Sequence, residues 1–254
     1  FSLTNNTALN VNGVISASGQ TVTILNGANA VSFGAGATAV TAGTLSVTAV
    51  DVDTMDSIGT LTATNVTLAP NTLAGTIGLA VADGATFTLT TTDIATLKAG
   101  AGTVTIGASG QTGVATLGAN VDLAGKNLVL NSGRVNEPTN KFLASQLTLT
   151  LTSSTGGNVA QTTVTTLVAD TTAGTTAADR NLTLVETDGL VLGVVNVGAV
   201  TFDLTANGAV TQAGVLTAGT VTIAAGTGNN ITLDAAANDF GTVVITSGNN
   251  VTLV

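Results

Sequence analysis

The sequence predicts an all-β chain folded as a parallel β-helix, a β-solenoid of about 12 coils of about 21 residues. Three observations carry that expectation. The first is a period. Strand-like segments open at Val200, Val221 and Val243, spaced 21 and 22 residues apart, and a second series opens at Val210, Ile231 and Val251, spaced 21 and 20. One coil of that length holds two or three short strands with their turns. The second is a recurring triplet, apolar-Thr-apolar, whose period of two puts the flanking residues on one side and Thr on the other. The third is the near absence of aromatic residues, 2% of the chain. A narrow core stacked from Val, Ile, Leu and Ala suits a solenoid better than a sandwich, which uses larger residues. Right-handed winding is the expectation for coils of this length.

Taken in order, the triplets start with Val22-Thr23-Ile24, Leu45-Ser46-Val47, Val66-Thr67-Leu68 and Phe87-Thr88-Leu89. They continue through Val104-Thr105-Ile106, Leu128-Val129-Leu130, Leu147-Thr148-Leu149, Val164-Thr165-Thr166 and Leu182-Thr183-Leu184. Each reads as a strand of its own coil, with intervals drifting between 17 and 24 residues as turn lengths vary. Their β-branched residues suit a pleated strand. Asn26-Gly27, Asp83-Gly84, Asp188-Gly189 and Asn207-Gly208 supply the turns. Helix signals are nearly absent; runs such as Ala235-Ala236-Ala237 are too short to nucleate. In this register Val221, Ile223, Ile231, Leu233, Val243, Ile245, Val251 and Leu253 point inward, and Thr222, Thr232 and Thr252 outward. Stacked at the inter-strand spacing, such coils make a rod of roughly 55–60 Å.

No shift in composition divides the chain, so residues 1–254 read as one solenoid domain. The clearest interruption is 134–142, Arg134 to Phe142. Pro138 argues against a central strand there, and the segment is expected to protrude as a loop. Residues 170–180, low in apolar bulk, are a second expected exposed segment.

Composition removes several function classes. With no Cys there is no disulfide framework, thiol nucleophile or zinc-thiolate site. With no His the usual general base and the commonest metal ligand are missing. Five basic residues against 14 acidic ones cannot neutralise a phosphate backbone, so no nucleic-acid partner is expected. The apolar fraction of 44% is enough for a core, yet no apolar run reaches membrane-spanning length. The first residues, Phe1-Ser2-Leu3-Thr4, suggest a chain processed or excised from a longer one.

Two stretches carry a resemblance. Gly208-Ala209-Val210-Thr211-Gln212-Ala213-Gly214-Val215-Leu216-Thr217 and residues 230–241, with Asn238-Asp239-Phe240-Gly241, resemble the repeats of filamentous haemagglutinin-type adhesins. Residues 199–254 carry most of the similarity. It implies a long right-handed β-helix of a bacterial surface, exported by two-partner secretion or as an autotransporter passenger. Glycans or proteins of a host or cell surface are the implied partners. It supplies no binding residues, because such repeats are scaffold.

Candidate chemistry is sparse. Asp51, Asp53 and Asp56 place three carboxylates in six residues and make a calcium site conceivable, although a solvated acidic turn explains them more simply. Paired carboxylates on a β-helix can serve a carbohydrate-active enzyme. Here Asp83, Asp93, Asp122, Asp170, Asp203 and Asp234 are scattered about one per coil, so neither catalysis nor a cofactor is expected. Thr-x-Thr pairs at Thr21/Thr23, Thr60/Thr62/Thr64, Thr86/Thr88/Thr90, Thr103/Thr105 and Thr220/Thr222 resemble ice-contact surfaces of some small solenoids. The plainer reading is a β-former that keeps a weakly charged face soluble. Asn-x-Thr sequons at Asn5, Asn65, Asn181, Asn230 and Asn250 are expected by chance, with Asn230 and Asn250 stacked as a hydrogen-bond ladder.

The ends complete the expectation. Phe1 and Leu3 at one end and Val251 and Leu253 at the other are apolar, strand-forming and uncapped. A solenoid left so would expose unpaired backbone and core. Both ends are therefore expected against further β-structure, from a longer chain or from another copy stacked end to end. The function expected is an extracellular structural one, an adhesin rod or fibre subunit, with a carbohydrate-active enzyme or a surface-layer or ice-contact solenoid as alternatives.

Overall fold

Up to residue 170 most turns visit three faces in the same order, and corresponding segments of successive turns pair in parallel. The structure, a computed structural model, describes residues 1–37, 39–81, 84–152 and 156–254. It is a β-solenoid of about 12 turns of about 21 residues, 61% strand and 7% helix. Asp83, with the turn assigned to Asp83-Gly84, lies outside the described residues.

The broad face holds residues 21–26, 44–49, 65–70, 103–106, 127–132, 146–151 and 166–170. Its inward columns run in unbroken register. One is Val22, Leu45, Val66, Val104, Leu128, Leu147, Leu167 and Leu192, all fully buried. Identical alternation on every turn produces this, since one residue of slip would turn a whole strand inside out. The short face holds residues 40–42, 61–63, 121–123, 142–144 and 162–164, and the back face holds 31–33, 77–79, 114–117, 134–137 and 158–160.

Phe87-Thr88-Leu89 does not open a turn of its own. Val66 pairs with Val104 on the next turn, and Phe87–Leu89 folds back against Ile77–Leu79 of its own turn. Helix α1, Thr91–Gly100, follows. It packs between the strands Leu61–Pro70 and Val121–Ser132, where its turn would otherwise place a short-face strand. A capping box starts it: Thr90 Oγ1 accepts from Asp93 N–H while the Asp93 carboxylate accepts from Thr90 N–H. Ile94 and Leu97 bury the inner side.

Residues 134–142 do not protrude. They open the strand Arg134–Leu151, and Pro138 is accommodated by a bulge, with the ladder shifting register between Asn136 and Lys141. The bulge draws the backbone away from Leu117 on the preceding turn. Side chains take over: Glu137 Oε1 accepts from Leu117 N–H at 2.6 Å, and Asn140 Nδ2 donates to Leu117 C=O at 2.8 Å. A proline inside a sheet is thus tolerated because two neighbouring polar side chains replace the lost ladder bonds.

Residues 170–180 are largely exposed, as expected, except Thr171 and Asp179. Beyond them the cross-section changes. The short face shrinks to a bend at 187–189, then at 207–209. The broad face splits in two: residues 190–192, 210–212, 231–233 and 251–253 stack on one side of the split, while Val195 and Asn196 stack on Leu216 and Thr217 on the other. The inward set named from the sequence follows this register, and Val221, Ile223, Ile231 and Leu233 are fully buried. Val243 and Ile245 sit one turn further on and are half-buried.

Candidate functional site

A recess lies where the segment running from Phe87 to the end of α1 breaks the regular stack. On the first turns the back face stacks Asn10, Ser32 and Asp53 outward in register. Thr54 then takes a left-handed conformation, φ 58°, held by its hydroxyl donating to Phe33 C=O at 2.8 Å. Phe87–Leu89 and the start of α1 form the opposite wall, leaving a groove of about 680 Å³.

The groove carries the carboxylates singled out from the sequence, but it uses them structurally. Asp51 Oδ1 accepts from Val52 N–H at 2.9 Å and Thr88 N–H at 2.6 Å, tying the inserted strand to the earlier turn. Asp93 serves the capping box and also accepts from Asp56 N–H at 3.1 Å. Asp53 takes a long bond, 3.4 Å, from Ser32 Oγ, and the Asp56 side chain is exposed. Asp51, Asp53 and Asp56 all line the groove, Asp51 tied to backbone and the other two exposed. Among the described residues no group of three or more His, Cys, Asp or Glu is arranged to hold a metal ion.

The remaining carboxylates are dispersed. Asp122 receives Lys98 on both oxygens at 2.7 Å, which holds it below the usual aspartate value. Asp179 lies below it too, chiefly through the N–H of Gly156 at 2.6 Å. Two glutamates behave oppositely. Glu186 is buried and accepts from Val164 N–H at 3.1 Å and Thr187 N–H at 2.7 Å, yet burial pushes it above the usual 4.5. Burial does the same to Glu137.

These opposite shifts define two pH windows. Glu137 and Glu186 bind their protons more tightly folded than unfolded. The stability this contributes is complete below about 4.5 and is lost as pH rises through the raised folded values. Asp122 and Asp179 contribute above about 3.8, and their share is lost as pH falls through the lowered folded values. Urea midpoints should peak between the two windows. In Glu137→Gln/Glu186→Gln the decline on the alkaline side of that peak should flatten; an unchanged slope would show that these two groups do not cause it.

The threonine pairs do not build one uniform array. Thr21, Thr44, Asn65, Thr103, Asn127 and Gln146 form one outward column of the broad face. Thr23, Ser46, Thr67, Thr105, Val129 and Thr148 form the next. Thr86, Thr88 and Thr90 belong to the inserted segment, and Thr88 is buried. Asn250 Nδ2 donates to Asn230 Oδ1 at 3.2 Å, the ladder read from the sequence.

Both terminal turns present open core. Ile231 and Leu233 are fully buried, while their register partners Val251 and Leu253 are 42% and 43% exposed. At the other end Phe1 is 73% exposed, and Leu3, half-buried, pairs only with Ile24 on its inner side.

Residues 179–247 match a family model described as repeats of unknown function (DUF5649). The match falls on the part of the rod with the second cross-section, where the 20–22 residue period is cleanest. No curated protein and no solved structure matches the chain. Among the described residues no helix is long and apolar enough to cross a membrane.

Proposed function

We propose that this repeat β-solenoid is the shaft of an extracellular bacterial surface rod, of the adhesin or fibre type. The observation that carries the reading is the parallel stack itself, whose inward column keeps its register from Val22 to Leu192. Turns stacked in this way bury apolar surface worth roughly 25 cal/mol per Å² along the whole axis, which suits a stiff rod. The resemblance of residues 199–254 to adhesin repeats supports the surface setting, and the dispersed carboxylates support a structural rather than catalytic role.

The test is the location of the chain. Antibody raised against it should label intact cells of the bacterium that encodes it, and protease added outside should remove the label. Label that appears only after lysis would refute the surface reading.

A further inference from the structure

The seam between the two cross-sections holds an edge that the fold has to manage. Phe142, Leu143 and Ala144 pair with Thr162, Thr163 and Val164 on the preceding-turn side. On the following side the ladder pairs Thr162 with Glu186 and resumes only at Thr166 with Val191. Thr163 and Val164 thus have no ladder partner on the next turn, which bends away at 187–189. The bend leaves a hollow of about 250 Å³ over Thr163, Val164 and Thr165. A sheet edge of this kind is a template for a foreign strand.

Two side chains occupy it. Glu186, 2% exposed, sends Oε2 back to Val164 N–H at 3.1 Å, where the carbonyl of a further strand would stand. Its Oε1 accepts from Thr187 N–H at 2.7 Å, which fixes the carboxylate to the bend. Thr187 Oγ1 donates to Thr162 C=O at 2.9 Å and accepts from Thr163 Oγ1 at 3.0 Å and Lys141 Nζ at 2.9 Å. We propose that Glu186 and Thr187 form a built-in cap that closes the short-face sheet where its strands end and blocks that edge from pairing with a second copy of this chain. Glu137 and Asn140 at the Pro138 bulge show the same chemistry, polar side chains standing in for a missing stretch of ladder. The cap lies on the side of the rod, so it is independent of how the terminal turns are covered.

The test uses the full chain carrying Val251→Lys/Leu253→Lys, which removes end stacking from the readout. In Glu186→Ala/Thr187→Ala the Val164 amide should exchange with solvent about tenfold faster or more, the loss expected for a hydrogen bond to a charged acceptor. Amides of Leu128 and Leu147 should be unchanged, and sedimentation should reveal a new concentration-dependent dimer. Unchanged exchange at Val164 overturns the cap; faster exchange without self-association overturns its blocking role. If the double variant loses its β-sheet circular dichroism, Glu186→Ala alone is read instead. It removes the acceptor of the Val164 N–H, while the Thr187 N–H keeps the Thr162 C=O at 3.1 Å. Native exchange at Val164 in that variant also overturns the proposal.

Discussion

Val221→Asp is expected to cost more than about 4 kcal/mol, and Val243→Asp, its partner one turn on, less than about 2. The sequence pattern alone treats the two positions alike, as inward residues of one column. In the structure Val221 is fully buried, stacked between Phe202 and Val243, so a carboxylate there has no water and no cation. Such a charge is either desolvated or neutralised by a shifted pKa, and both are expensive. Val243 is half-buried on the open terminal turn, so an aspartate there can turn its head group to solvent. Because each turn contacts only its neighbours, the damage from Val221→Asp should spread along the stack from that turn. Urea unfolding gives the energies, and hydrogen exchange locates the loss. Equal costs at the two positions would mean that the last turn is covered, which end-to-end stacking of copies would itself produce at high concentration. The comparison therefore belongs at the lowest workable concentration.

The architecture was legible because a solenoid writes its period into every turn. Val200, Val221 and Val243 were enough to set the repeat, and alternation within the triplets set the inward face. Local chemistry that competes with the period is not legible in this way. Phe87-Thr88-Leu89 has the same pattern as a turn-forming triplet, and only its pairing with Ile77–Leu79 separates the two cases. Thr90 and Asp93, at capping-box spacing, were the available signal for α1. Pro138 was read by its missing N–H alone; Glu137 and Asn140, which replace the bonds, flank it in the sequence but reveal their role only once Leu117 stands beside them. The carboxylates of 51–56 were legible as a cluster and not as a site. Asp51 is committed to Thr88, 37 residues away, a partner that no local reading supplies. The change of cross-section near residue 187 left no trace in composition, because a bend and a short strand draw on the same small and β-branched residues.

A tight constraint in the rod is set by backbone approach between turns, and Gly107→Ala should expose it. Gly107 has φ +83°, and a Cβ there would lie 2.0 Å from the carbonyl oxygen of Asn131 on the next turn. That oxygen belongs to backbone flanked by the fully buried Leu130 and Ser132, so it cannot yield without parting two stacked turns. The same glycine donates its N–H to Leu68 C=O at 2.9 Å and accepts from Asn131 Nδ2 at 3.0 Å, so movement would break contacts on both sides. Gly125 is the control. Its φ is +82°, nearly the same, but nothing lies within 4 Å of the position a Cβ would take. Gly125→Ala therefore carries only the left-handed strain of an L-residue, about 1–2 kcal/mol. Gly107→Ala carries that strain plus a clash against backbone, and should cost more than about 4 kcal/mol. The difference between the two urea midpoints measures close approach alone, since the torsional term cancels. Midpoints lowered by the same amount would show that the turns can separate at Gly107 without penalty, and that stacking at this corner is looser than the register implies.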